Sequence, residues 1–133
     1  MEHKVVAHFL DKGIKKGVAY DFSSESPMLH LVAEDAPGQK QVHKINLNLV
    51  KAIFFVKDHD GNSIYKEKND FEPGKTVYGK KVEIEFDDGE KIVGYSITNP
   101  VMKKKFFLIP ADPNSNNAKI FINTDTIKDL KYL

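Results

Sequence analysis

The 133-residue chain has no cysteine and no tryptophan, and all 20 of its basic residues are lysine. Without cysteine there is no disulfide scaffold, no thiol nucleophile and no thiolate-ligated zinc or iron–sulfur centre. Without arginine there is no planar fork to grip phosphate, carboxylate or guanine with two parallel hydrogen bonds, which weighs against base-specific nucleic-acid reading and against phosphate-clamp enzymes. Net charge is nearly absent as well. Twenty lysines meet 19 carboxylates, giving +1, and this excludes the electrostatic footprint of a nucleic-acid-coating protein. No apolar run approaches the roughly 18 to 20 residues of a membrane span. Met1-Glu2-His3-Lys4 leads straight into alternating sequence rather than a signal peptide. These absences read as a cytoplasmic protein with no membrane association. The 3.6-residue helical period is also missing, so helix is expected to be minor.

What the chain does have is an internal echo. Shifted by 77 residues, 4–56 lie over 81–133 without a gap. Identities fall at Lys4/Lys81, Val5/Val82, Phe9/Phe86, Asp11/Asp88, Gly17/Gly94, Leu31/Leu108, Asp35/Asp112, Ile45/Ile122, Asn46/Asn123 and Lys51/Lys128. Apolar exchanges such as Ala7/Ile84, Leu29/Phe106 and Val32/Ile109 extend the match. Each half reads as five short strands separated by turn residues: 4–10, 16–22, 28–33, 41–47 and 50–56, then 82–87, 92–97, 105–109, 119–123 and 127–133. In the second half Val82, Ile84 and Phe86 alternate with Glu83, Glu85 and Asp87, a strand with one wet face, before the Asp88-Gly89 turn. The predicted organisation is a first repeat over 1–57, a structured connector over 58–80 and a second repeat over 81–133. Ile64, Tyr65, Phe71, Val77 and Tyr78 are too apolar for a flexible linker. Ile64 to Lys68 is expected as a short strand, with turns at Phe71-Glu72-Pro73-Gly74 and a break at Asn99-Pro100.

Five short, sharply bent strands in so few residues resemble a small SH3-like or Sm-like barrel. Val82-Glu83-Ile84-Glu85-Phe86-Asp87-Asp88-Gly89-Glu90-Lys91-Ile92-Val93-Gly94 is similar to the first Sm motif, and Gly17 with Met28 to Asp35 continues the likeness in the first repeat. The resemblance implies an all-β fold of tandem, duplicated five-stranded SH3-like or Sm-like barrels. It does not carry the Sm-type RNA pocket, because Leu29 follows Met28 where an asparagine belongs. Val50-Lys51-Ala52-Ile53, Lys105-Phe106 and Ile127-Lys128-Asp129 also lack the matching pocket residues. The PilZ-type cyclic di-GMP site resembles a spaced arginine pair, and its absence excludes that ligand. Over its full length the chain resembles an uncharacterised bacterial domain family, through Phe54-Phe55-Val56-Lys57-Asp58, Gly61-Asn62 and the stretch Phe106 to Asn117.

No catalytic residue, cofactor or metal site is assigned. Ser23, Ser24 and Ser26 share a loop, but no histidine and acid are placed beside them. Strand parity points His8 and His30 outward and His43 inward, so the three need not converge on a metal. Asp58, Asp60, Gly61 and Glu67 coincide with calcium-loop positions, yet no amphipathic helices flank them, and an Asp-Gly turn accounts for them. The favoured function is a non-catalytic binding or adaptor module with a protein partner, recruited by a surface or by an exposed strand edge, which also permits a homodimer. Phe54 and Phe107 take strand positions that a lone barrel exposes, while their counterparts Lys131 and His30 are polar. They are expected at a contact between the halves or between chains. With Tyr95 and the polar loop carrying Asp112, Asn114, Asn116 and Asn117, they make up the candidate interaction surface. The alternative is Sm-like RNA or single-stranded nucleic-acid binding through Lys103-Lys104-Lys105 and stacking aromatics.

Overall fold

The computed structural model describes residues 2–61, 64–68, 70–71, 79–97 and 104–133. They form ten strands: β1 His3–Phe9, β2 Ile14–Ala19, β3 Met28–Ala36, β4 Gln39–Asn46, β5 Val50–Val56, β6 Lys80–Phe86, β7 Lys91–Ser96, β8 Lys105–Pro110, β9 Asn117–Asn123 and β10 Ile127–Tyr132. All pairings are antiparallel, and the strands make one sheet in the order β10-β6-β7-β8-β9-β5-β1-β2-β3-β4. The expected Ile64–Lys68 strand is irregular chain instead. The turn at 72–74, Val77, Tyr78, the Asn99-Pro100 break and Lys103 lie outside the described residues.

Two closed barrels do not form. Closure of the first half needs β4 to pair with β5, but one edge of β5 is taken by β1 and the other by β9. The sheet therefore runs on through a β5–β9 seam and ends at β4 and β10. The sequence of β5 explains the choice. Val50-Lys51-Ala52-Ile53-Phe54-Phe55 has no polar alternation, and all six residues are buried, as suits a strand covered on both faces.

The pairings within the two halves coincide under the 77-residue shift. His3 faces Ala19 as Lys80 faces Ser96, Val5 faces Phe55 as Val82 faces Tyr132, and Met28 faces Asn46 as Lys105 faces Asn123. The first hairpin turns match too, with Phe9 N–H donating to Gly13 O at 2.9 Å and Phe86 N–H to Glu90 O at 2.8 Å. Gly89 occupies the left-handed position at φ 92°, where the other turn has Lys12 at φ 73°. Each half passes from its fourth to its fifth strand through a 3₁₀ turn, capped by the Asn46 or the Asn123 side chain. Gly17 and Gly94 sit where strands crowd: a Cβ would lie 2.5 Å from Val32 O and 2.2 Å from Ile109 O, closer than any side chain tolerates.

Two apolar cores flank the seam. One gathers Val5, Ala7, Leu29, Leu31, Leu47, Val50, Ile53 and Phe55 of the first half together with Phe121 of β9. The other gathers Val82, Ile84, Phe86, Phe106, Leu108, Ile120 and Ile122 together with Val6, Ala52 and Phe54. Each half thus lends side chains to the other's core, because alternation along β5 and β9 sends successive residues to opposite faces.

Candidate functional site

The seam positions most of the chemically distinctive side chains. Phe54 is buried in the second core and stacks within 4.5 Å of the His8 ring. It is a contact between the halves and offers no outer surface. Asp112 is also buried, although an exposed loop position was expected. It accepts hydrogen bonds from Lys68 N–H and Asn114 N–H, both at 2.9 Å, and from the Tyr65 hydroxyl. These bonds, the Lys68 N–H first and the Tyr65 hydroxyl next, hold its carboxyl below the usual aspartate range. Asn116 is likewise engaged, with Oδ1 accepting from Asp58 N–H at 3.0 Å and Nδ2 donating to Asp58 O at 2.9 Å. The polar loop is a clasp: it fastens both 57–58 and 64–68 to the second half. His59 fastens the same segment to the first half through Gly17 O, at 2.8 Å.

Asn114, Asn116 and Asn117 do come together, lining a recess of about 400 Å³ with Lys57, Tyr65 and Glu67. Tyr95 is half-buried between Lys81 of β6 and Ile109 of β8. It lines neither this recess nor the groove that holds Phe107, so the candidate residues do not make one surface.

That groove has a volume of about 570 Å³. Phe106, Phe107, Ile109, Phe121 and Ile97 line it, with Lys104, Lys105, Ser24 and Glu25 around them. Phe107 and Phe121 stack with centroids 4.8 Å apart, and Phe107 is only half-buried. Ile97 is 78% exposed, a large apolar side chain presented to water. Burial, reinforced by the neighbouring Lys104 charge, lowers the pKa of Lys105, and its Nζ donates to Asn48 Oδ1 at 2.9 Å.

A second cleft, of about 510 Å³, lies where β1 and β5 meet the β6–β7 turn. Lys51 projects into it from the seam. Its Nζ donates to Asp88 Oδ2 at 2.7 Å and to Glu90 Oε1, and it lies 4.3 Å from the centroid of the Phe86 ring. Burial pulls the Lys51 pKa down, but the two carboxylates outweigh it and the net shift is upward. The ammonium therefore stays charged and bridges the halves. His8, half-buried on the same cleft, is held below the ordinary histidine range by burial; Glu90 and Asp88 oppose that shift and Lys51 adds to it. Lys51 was missed as a site residue, although the sequence carries its signal. A lone lysine inside an apolar strand needs a carboxylate partner, and Asp87-Asp88-Gly89-Glu90 is the acidic turn able to supply one.

The histidines do not converge. His8 stacks on Phe54, His30 pairs with Asp21 at 2.7 Å, and His43 pairs with Asp35 at 3.0 Å. Among the described residues no cluster of three or more histidine or carboxylate side chains could hold a metal ion, and no helix is long and apolar enough to cross a membrane.

Fold and sites together define an all-β protein built on one continuous antiparallel sheet whose halves exchange core residues. The chain belongs to the family of unknown function DUF6982, whose model matches residues 1–133. No curated protein and no solved structure matches it.

Proposed function

We propose that this is a non-catalytic binding module whose groove takes a short apolar segment of a protein partner bearing a carboxylate. The observation that carries the reading is the exposed Ile97 beside the Phe107–Phe121 pair, with Lys104 and Lys105 at the edge. An apolar floor supplies contact area, and the lysines favour an acidic ligand. We also read residues 1–57 and 81–133 as two descendants of one SH3-like or Sm-like unit, opened out to share a sheet. The coincident strand pairings support that origin.

Selection from a random peptide library tests the groove. Peptides combining acidic and apolar positions should be enriched, and Ile97→Glu should weaken them by roughly tenfold or more, as expected for a central apolar contact. Enriched peptides that bind the Ile97→Glu variant as well as they bind the parent would sink the reading. Lys104 next to stacked aromatics also suits a single-stranded nucleic acid. In that case a fluorescent oligo-U titration saturates at low salt, weakens on Lys104→Glu, and loses about 0.7 in log affinity per log salt for each phosphate neutralised.

A further inference from the structure

We propose that copies of this chain join head to tail, with β10 of one pairing antiparallel to β4 of the next in the register that β5 and β9 use within the chain. β4 and β10 are the two ends of the sheet, each paired on one side only among the described strands. Under the 77-residue shift β5 maps onto β10 and β4 onto β9, so the internal seam is a template for what each end faces.

The seam pairs Ala52 with Ile122, Ile53 with Phe121, Phe54 with Ile120 and Phe55 with Lys119. Transposed to the ends, it sets Asp129 opposite Ile45, Leu130 opposite Lys44, Lys131 opposite His43 and Tyr132 opposite Val42. Val42 is 65% exposed and Tyr132 49% exposed, an aromatic and a β-branched residue that the transposed register brings face to face. Such cross-strand pairs stabilise antiparallel ladders.

Lys40 and Lys44 on β4 and Lys128 and Lys131 on β10 discourage indiscriminate edge pairing. β10 against another β10 lacks the Tyr132–Val42 match. The two ends differ, so each added copy leaves one β4 and one β10 open. Assembly then continues as an open filament unless the rotation between copies closes it into a ring. None of the groove residues lies on β4 or β10, so this inference and the groove reading stand or fall separately.

Light scattering on a sizing column and native mass spectrometry, run over a wide range of concentration, measure the assembly. The mass should rise above that of a single chain with concentration. Val42→Lys with Tyr132→Lys sets two ammonium groups opposite each other and should weaken association by at least tenfold. Val42→Lys with Tyr132→Glu sets an ammonium against a carboxylate and should restore it. Both sites are exposed, and unchanged thermal melting of the monomer confirms that the variants fold. A single-chain mass at every concentration, assembly indifferent to the lysine pair, or failure of the Lys/Glu pair to restore it would each overturn the proposal.

Discussion

Removing the two carboxylates around Lys51 and removing Lys51 itself should have unequal effects. Asp88→Ala with Glu90→Ala leaves an ammonium buried over Phe86 without a partner, and the expected loss in denaturant unfolding is about 2–4 kcal/mol. Lys51→Met places an apolar chain of similar length over the same ring. The acids it abandons have side chains 37% and 43% exposed and can rehydrate, so the expected loss is under about 1 kcal/mol. Equal losses would show that Lys51 does not owe its place to the carboxylates. The pair also sets an acid limit. Lys51, and after it Glu90 N–H, lowers the Asp88 pKa from the ordinary 3.8. Its contribution is complete above that value and is lost as pH falls through the depressed folded-state value. Lys51→Met should flatten this part of the acid-unfolding profile.

Among the elements, the clasp at 112–117 predicts a separable mobility. Asp112→Ala removes the acceptor for Lys68 N–H, Asn114 N–H and the Tyr65 hydroxyl. Hydrogen exchange of residues 64–68 should then speed up by about tenfold or more, while β5 and β9 keep their protection. Faster exchange throughout the sheet would mean that the clasp supports the fold as a whole. The strands themselves were largely legible, because period-2 alternation and Asp-Gly or Asx turns are local signals; β6 is the plainest case. Three features were not. Asp112 reads as one more polar loop residue because two of its three partners, Tyr65 and Lys68, lie more than forty positions away in the chain. Lys51 stands out as a lone lysine in an apolar strand, but which carboxylates it meets is not a local signal, because they sit in the other half. The joining of β5 to β9 reads as barrel closure because an apolar run says that a strand is covered on both faces but not by what. Phe54 was legible only by comparison with Lys131, its counterpart at the sheet's end.

At the scale of the whole molecule, the shared cores make the halves interdependent. Expressed separately, residues 1–60 expose Val6, Ala52 and Phe54, while 76–133 lose those three from their core. Neither half should unfold cooperatively alone, and mixing them should restore a cooperative transition and suppress dye binding to exposed apolar surface. Two stable halves that ignore each other would refute the shared core.

The seam also has a consequence in time. β5 leaves the ribosome long before β9, and at roughly 5–20 residues per second the interval lasts several seconds. Throughout it, the first half holds an apolar strand with a bare edge, and until residues 88–90 emerge Lys51 is also without its acids. This nascent intermediate is the form most exposed to aggregation. Synonymous changes that slow translation between β5 and β9 should therefore lower the yield of folded protein without altering a single residue of it.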